Sequence, residues 1–182
     1  MRHWVMAGAA AALLSTSAFA ALPVGTKAPE FKADGFLAGA PFKFDLDRAL
    51  KKGPVVLYFF PAAFTQGCSI EAHLFADNIA KFQAQGATVI GVTAGNTDQL
   101  GKFSTDTRFC SGKFPMAADD GAVIAKLYDA SMVYNSKTYS SRTSYVIAPD
   151  HDVLLAYSDM KPDDHITKTL DAVTQWRAAH PK

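Results

Sequence analysis

The 182-residue chain contains one segment in which an apolar run leads to a lone cysteine, Val55-Val-Leu-Tyr-Phe-Phe-Pro-Ala-Ala-Phe-Thr-Gln-Gly-Cys-Ser-Ile-Glu71. The run is short, β-branched and aromatic, and it lies between a Gly-Pro pair and a proline, which is typical of a buried strand. From Ala72 the apolar residues recur at helical spacing, so a helix is predicted to begin between Gln66 and Ser69. Cys68 is therefore expected in the first turn of that helix.

The predicted position of Cys68 bears on its chemistry, because a thiol reacts as its thiolate. The unpaired amides and the dipole of a helix N-terminus favour this anion by about 0.3 to 1 kcal/mol. A thiolate that predominates at neutral pH requires roughly 3 kcal/mol. A reactive Cys68 therefore needs a nearby cation or further hydrogen-bond donors. The alternative is a buried, unreactive cysteine or one half of a structural disulfide.

The motif Pro61-x-x-x-Thr65-x-x-Cys68 resembles the active-site motif of the peroxiredoxins, which are thiol peroxidases with a thioredoxin-like fold. The resemblance covers nearly all of residues 22–180, and its form is closest to the branch called bacterioferritin comigratory protein, or Q-type. It implies a peroxidase without a cofactor or metal. Four further segments agree with it in chain order: Gly25 to Phe31, Gly86 to Val92, Lys113 to Asp119 and Arg142 to Ile147.

The resemblance also implies a role for each candidate catalytic residue. Cys68 attacks a peroxide and becomes a sulfenic acid, while Thr65, the Cys68 amide and Arg142 stabilise the charge that moves across the O–O bond. Pro61 shapes the pocket, and Glu71 matches the family acid that orients the arginine. From the residues alone, simpler interpretations stay open: Arg142 as a strand-edge cation, Glu71 as a solvated helix residue and Thr65 as a helix N-cap only.

The second cysteine, Cys110, has two interpretations. It could form a structural disulfide that stabilises the fold, or it could resolve the Cys68 sulfenic acid as an intramolecular disulfide. Q-type relatives often carry the resolving cysteine five residues after the first, where this chain has His73. Others place it in a later helix, so the resemblance favours Cys110 as the resolving cysteine. Residues Thr105 to Gly112 are then expected to unwind locally.

Residues 1–20 have the pattern of a secretory signal. They contain Arg2, no acidic residue, and an apolar stretch from Trp4 to Leu14 that is too short to span a membrane. We therefore expect a signal peptide over 1–20, a single domain over 21–182 and a periplasmic location. Cleavage would remove one of the 18 basic residues and none of the 17 acidic residues, which leaves a formally neutral protein. Such a chain lacks the basic patch that binds nucleic acid or anionic lipid.

The predicted fold class is α/β, a thioredoxin-like fold with an N-terminal extension and an insertion between its βαβ and ββα halves. The strand before Cys68 and the strand Thr88 to Thr93 flank the helix, so they should be parallel. Two later strands, joined by a turn at Pro149 to Asp152, should be antiparallel. Smaller features are also predicted: a hairpin turn at Asp34-Gly35, a helix from Asn96-Thr97-Asp98 to about Arg108, a loop over Ser131 to Ser141 and a last helix capped by Asp163 or Asp164.

Three other function classes fit the same fold. A copper-delivery protein would need a second close cysteine and a well-placed histidine, neither of which is evident. An exported thiol-disulfide oxidoreductase would carry a CxxC pair, but this chain has Glu71 where the second cysteine would stand. A non-catalytic protein could keep the fold and a structural disulfide. The expected partners are a peroxide substrate and a thioredoxin-like dithiol reductant, and the Q-type resemblance favours a monomer. No metal site is predicted, because His73, His151 and His165 have no partner at ligand spacing.

Overall fold

The computed structural model describes residues 21–181, so the predicted signal peptide lies outside the described residues. No helix in this part of the chain is both long and apolar enough to cross a membrane. The strands are β1 (Lys32–Leu37), β2 (Ala40–Asp45), β3 (Val55–Phe59), β4 (Thr88–Thr93), β5 (Met116–Ala118), β6 (Ser131–Tyr134), β7 (Lys137–Ser140), β8 (Thr143–Ile147) and β9 (Val153–Ser158). The helices are α1 (Leu46–Leu50), α2 (Gln66–Ala84), α3 (Leu100–Thr105), α4 (Val123–Leu127) and α5 (Asp163–Ala179), with a 3₁₀ turn at Thr97–Gln99.

A seven-stranded sheet runs through the described residues in the order β2-β1-β5-β4-β3-β8-β9. Strand β3 pairs in parallel with β4 across α2, and β8 pairs antiparallel with both β3 and β9. The N-terminal hairpin β1–β2 extends the sheet beyond β5. The elements from α3 to β7 form the insertion between the βαβ half (β3-α2-β4) and the ββα half (β8-β9-α5). The predicted thioredoxin-like α/β fold is confirmed.

Strand β3 is an interior strand of the sheet, and all of its residues are buried. Its alternate side chains enter two different cores because successive residues of a strand point to opposite faces. Val55, Leu57 and Phe59 pack with α1 and α4, whereas Val56 and Tyr58 pack with α2, α3 and α5. A strand covered by helices on both faces reads as a continuous apolar run, which is why the sequence pattern was unambiguous here.

The predicted hairpin turn at Asp34-Gly35 is wrong, because both residues lie inside β1. The turn falls at Ala38 and Gly39, which have φ values of 50° and 77° and so suit the two left-handed positions of a tight hairpin. Gly35 serves close packing instead: a Cβ there would lie 2.1 Å from the Met116 carbonyl oxygen of β5.

The predicted loop over Ser131 to Ser141 is also wrong, because it contains the separate hairpin β6–β7. Its turn residues Asn135 and Ser136 both have positive φ. The hairpin has little apolar alternation, since Val133 and Tyr134 are exposed, so the period-2 signal of a half-buried strand is missing.

Two helix boundaries differ from the prediction. The helix expected to reach Arg108 ends at Thr105, because Asp106 adopts an extended backbone and its carboxylate accepts hydrogen bonds from the Arg108 backbone and side chain. Cys110 therefore lies in the turns after α3. The last helix begins at Asp163, with Pro162 as the N-cap residue and no side-chain cap bond, so neither Asp163 nor Asp164 caps it.

Candidate active site

Cys68 lies in the first turn of α2, immediately beyond the carboxyl end of β3, and only 2% of its surface is exposed. The predicted helix start is confirmed, since α2 begins at Gln66 with Thr65 as its N-cap residue. The first-turn amides of a helix have no partners within the helix and favour an anion at this place. The sulfur is thus beneath the surface, at the end of the helix that best stabilises a thiolate.

Arg142 supplies the cation that the energetic argument requires. It directly precedes β8, and the pairing of Thr143 with Phe59 brings it beside the end of β3. Its Nη2 lies 3.5 Å from Cys68 Sγ, and the side chain is buried. The interpretation of Arg142 as an ordinary strand-edge cation does not fit this burial, because an unpaired buried guanidinium is strongly unfavourable.

The guanidinium of Arg142 is held by partners on three sides. Nη1 donates to Glu71 Oε2, Nη2 contacts Cys68, and Nε donates to the Met160 carbonyl oxygen at 3.0 Å. Glu71 is completely buried, so its interpretation as a solvated helix residue is wrong. Arg142 can contact both Cys68 and Glu71 because these two residues are three positions apart and share one face of α2.

Gly67 is a site residue that the sequence analysis missed. A Cβ at this position would lie 2.9 Å from Arg142 Nη2, closer than a side-chain contact allows. Glycine therefore lets the guanidinium approach the first turn of α2. The sequence offered no signal for this, because the requirement comes from a side chain that is distant along the chain.

His165 and Ser144 form a second buried layer behind Glu71, and both were missed as site residues. His165 Nδ1 lies 2.8 Å from Ser144 Oγ and 3.6 Å from Glu71 Oε1. Its Nε2 lies 2.9 Å from the Asp159 carbonyl oxygen. A partial signal existed for Ser144, since residues two apart on a strand face the same side and Ser144 follows Arg142 at this spacing.

Burial determines the ionisation of these groups. It raises the pKa of Glu71 to about 8, against the opposing effect of Arg142. It lowers the pKa of His165 to about 4, so the imidazole is neutral. Burial would also lower the pKa of Arg142, but Glu71 and Cys68 outweigh it and the pKa is raised. The site therefore contains one permanent cation and a carboxyl group that can hold its proton near neutral pH.

Thr65 and Pro61 belong to the segment between β3 and α2. Thr65 is exposed, and its hydroxyl donates to the Ala62 carbonyl oxygen at 2.9 Å instead of capping α2 with its side chain. Pro61 follows β3, and its carbonyl accepts a hydrogen bond from the Thr93 hydroxyl at 3.1 Å. Both residues precede Cys68 closely in the chain, and their contacts with a peroxide stay a prediction. The Thr65 hydroxyl must rotate before it can donate to a bound peroxide.

Cys110 is a free, fully buried thiol that is not bonded to Cys68. Burial raises its pKa above the ordinary range for a thiol, and Asp106 adds to this effect. Its neighbour Phe109 packs against Phe64, in the segment between β3 and α2, and against Phe103 of α3. A thiol in this environment is a poor nucleophile until it leaves the core.

One group of potential metal ligands exists among residues 21–181. Glu30, Asp47 and His151 place ligand atoms within 4.8 Å of one another, although they are far apart in the sequence. His151 thus has partners in space that its sequence spacing did not indicate. Asp47 already binds Lys51, and Glu30 is exposed.

The fold and the cysteine site define a thioredoxin-fold thiol protein, and residues 24–156 match the AhpC/TSA family. The chain therefore belongs to this family, which contains the peroxiredoxins. Within it, the predicted Q-type assignment is confirmed. The chain is 30% identical over 162 residues to the chloroplastic peroxiredoxin Q of Sedum lineare, and the aligned region covers 88% of this chain and 82% of the relative.

Solved structures agree with this assignment. The crystal structure of peroxidoxin BcpB from Mycobacterium tuberculosis matches with a TM-score of 0.72 and 29% identity, over 84% of this chain and 96% of that chain. The mitochondrial 2-cys peroxiredoxin from Plasmodium falciparum has a TM-score of 0.74 at 17% identity, which supports the fold alone. Membership of the family supports a thiol peroxidase, an oxidoreductase that uses a peroxide and a thiol reductant.

Proposed function

We propose that this protein reduces hydrogen peroxide and organic hydroperoxides through a sulfenic acid at Cys68. The observation that supports this most strongly is the contact of Arg142 Nη2 with the buried Cys68 Sγ, 3.5 Å long, in the first turn of α2. The thiolate attacks the terminal oxygen of ROOH, so an S–O bond forms and the O–O bond breaks. The products are Cys68–SOH and ROH, after the departing oxygen has taken one proton.

Donors around the sulfur stabilise the charge that develops during this step. In the proposed mechanism Arg142 and the Cys68 amide donate to the peroxide oxygens, and Thr65 joins them after rotation of its hydroxyl. Pro61 has no N–H group and a fixed φ, which helps to keep water away from the sulfur. Two exposed apolar side chains near Cys68 in the chain, Phe64 and Ile70, offer contacts for the alkyl group of an organic hydroperoxide.

The second half of the proposed cycle is resolution by Cys110. Its thiol attacks the Cys68 sulfenic acid, and water leaves as an intramolecular disulfide forms. A thioredoxin-like dithiol protein then reduces this disulfide. The burial of both cysteines supports a step in which the turns around Cys110 open first, since neither sulfur is accessible in the reduced fold.

The setting of this activity is also a proposal. The signal-like pattern of residues 1–20 supports export to the periplasm, and the neutral mature chain supports a protein without affinity for nucleic acid or membranes. An exported peroxidase must obtain electrons from a periplasmic dithiol carrier. We propose that it acts as a monomer, as the Q-type resemblance implies.

The test is rapid mixing of the reduced protein with hydrogen peroxide while the loss of free thiols is followed. We expect a rate proportional to peroxide and the loss of two thiols per peroxide. Cys68→Ser should react no faster than an unrelated thiol, because the nucleophile is missing, whereas Ser69→Ala should react as the wild type does. Turnover in Cys68→Ser would remove Cys68 from the mechanism and favour one of the other function classes.

A further inference from the structure

Glu71 Oε1 stands out among the buried polar atoms of the described residues, because it has no hydrogen-bond partner. His165 Nδ1 lies 3.6 Å from it, which is too far for a hydrogen bond. The tautomer of this histidine follows from its other contact. The Asp159 carbonyl oxygen can only accept a hydrogen bond, so His165 Nε2 must carry the hydrogen that lies between them at 2.9 Å. In the neutral ring, Nδ1 is then a lone pair.

Two acceptors therefore face each other in the core. Ser144 can donate its hydroxyl to His165 Nδ1, but nothing donates to Glu71 Oε1. A carboxylate oxygen that faces another acceptor, away from water and without a donor of its own, is unfavourable, and protonation of that oxygen removes the repulsion. Burial disfavours the charged form of both groups, raising the pKa of Glu71 and lowering that of His165. The proton consequently belongs on the carboxyl group.

The charges around Arg142 lead to the same arrangement. Its guanidinium contacts both Cys68 and Glu71. A thiolate together with a carboxylate would place two buried anions on one cation, which burial makes unfavourable. A thiolate with a protonated Glu71 leaves one anion for one cation. Once the sulfur is oxidised to a neutral sulfenic acid, Arg142 has Glu71 as its only anionic partner, and the carboxylate is favoured.

We propose that Glu71 holds a proton against His165 while Cys68 is a thiolate, and releases it when the sulfur becomes neutral. The inference rests on the proposed peroxidase chemistry. The oxidation then balances as Cys68–S⁻ + Glu71–COOH + ROOH giving Cys68–SOH + Glu71–COO⁻ + ROH. The departing oxygen gains one proton and Glu71 loses one, so the reaction takes no proton from the solvent. His165 is a positioning residue in this scheme, because it contacts neither sulfur nor peroxide.

Other ionisable groups border this pair on every side. Burial raises the pKa of Tyr58 on β3 well above its ordinary value, with Cys110, Glu71 and Cys68 adding to the effect, so its hydroxyl stays neutral over the pH range of the titration. Tyr157 of β9 packs edge-on against the His165 ring, and Asp159 and Asp164 lie at the exposed side of that ring. Arg142 and His165 face the Glu71 carboxyl group directly, and Cys68 is linked to it through the guanidinium that they share.

The composition of the chain makes a direct test possible, because Glu30 and Glu71 are its two glutamates. With ¹³C in the glutamate side-chain carboxyl groups, the reduced protein gives two resonances, and Glu71→Gln assigns them. We expect the Glu71 resonance to have the chemical shift of a neutral acid at pH 7 in the wild type. In Cys68→Ser its titration midpoint should fall by about one pH unit or more, since the neighbouring anion is gone.

Two further variants separate this coupling from packing. Cys110→Ser should leave the Glu71 midpoint unchanged. His165→Asn replaces the lone pair with an amide hydrogen facing Glu71, so the midpoint should fall; the matched variant His165→Leu, which opens similar space but offers no donor, should lower it less. The inference is overturned if Glu71 is ionised at pH 7 in the reduced wild type, or if its midpoint is the same in Cys68→Ser. The titration uses no peroxide, so an unreactive protein with the expected coupling would refute the proposed peroxidase and not the coupling.

Discussion

Arg142 lies between Cys68 and Glu71, and at the residue scale its charge has the largest expected effect on reactivity. Arg142→Met removes the guanidinium and keeps much of the apolar stem. We expect peroxide oxidation to slow by about 100-fold or more, which is the usual effect of losing one transition-state donor. Less thiolate should also be present at neutral pH, measured as a slower alkylation of Cys68 by iodoacetamide.

The control for this variant is Arg48→Met, because Arg48 is exposed on α1. Its alkylation and peroxide rates should equal those of the wild type. An unchanged alkylation rate in Arg142→Met would mean that other groups stabilise the anion of Cys68.

Glu71 makes the stability of the protein depend on pH. Its pKa is about 8 in the folded protein and 4.5 ordinarily, so the folded state binds more protons between these values. The stabilisation from this group is complete below pH 4.5 and is lost as the pH rises through about 8. His165 acts in the opposite direction and at lower pH, because its pKa falls from 6.5 to about 4.

In the window from pH 6.5 to pH 8 the effect of Glu71 therefore outweighs the opposing effect of His165. Across it the free energy of unfolding of the wild type should fall by about 1 to 2 kcal/mol on account of this group. Glu71→Gln cannot ionise and should lack this part of the fall, as measured by urea unfolding at both ends of the window. Parallel pH profiles for the two proteins would show that the folded state does not raise the pKa of Glu71.

At the scale of single elements, the first turn of α2 combines two requirements that conflict at Gly67. Alanine is favoured over glycine in a helix by about 1 kcal/mol. A Cβ at Gly67, however, would lie 2.9 Å from Arg142 Nη2 and displace it from the sulfur. We expect Gly67→Ala to slow peroxide reduction and to change the thermal stability little, because the gain in helix propensity opposes the cost of displacing the buried guanidinium. Gly101→Ala in α3 is the control, because its Cβ would meet Phe36 at an ordinary 3.4 Å.

The turns after α3 carry the second element-scale prediction. Cys110→Ser should still reduce one equivalent of peroxide, and Cys68 should then accumulate as sulfenic acid and proceed to sulfinic acid when peroxide is in excess. Mass spectrometry after one equivalent should find a Cys68–Cys110 disulfide in the wild type and none in the variant. If the wild type also lacks this disulfide, the protein is a one-cysteine peroxidase.

At the scale of the whole molecule, the sequence predicted the parts whose signals are local. The buried strand, the start of α2 and the antiparallel pair β8–β9 each follow from a run of neighbouring residues, and the structure confirms them. The hairpin turn at Ala38 and the hairpin β6–β7 were missed, because surface strands with exposed side chains lack a clear period.

The site residues also divide into those that local sequence signals or the resemblance predicted and those that only the structure revealed. Cys68, Glu71 and Thr65 belong to one short motif, and Arg142 entered through the family resemblance. Gly67 and His165 have functions that arise from distant contacts, with the guanidinium in one case and with Glu71 in the other. No pattern in the surrounding residues encodes such contacts.

The turn between β9 and α5 connects this buried site to the surface. Lys161 N–H donates to the Asp159 carboxylate at 2.8 Å and so fixes the turn. Asp159→Ala removes this bond, and we expect a several-fold slower peroxide reaction with little loss of stability. Asp163→Ala, which changes an exposed first-turn residue of α5, should react as the wild type does. Equal rates for the two variants would show that the turn does not need this bond to keep its shape.

Asp159 and Met160 are exposed, yet the carbonyl of one binds His165 and that of the other binds Arg142. The same two residues are thus part of the molecular surface, while their carbonyl groups bind the side chains behind the active-site cysteine. A protein that binds this turn would change the positions of Arg142 and His165, and through Arg142 the environment of the sulfur. It would do so without occupying the place where peroxide binds. Selection for a new binding partner at this place and selection for catalytic rate would therefore act on the same residues.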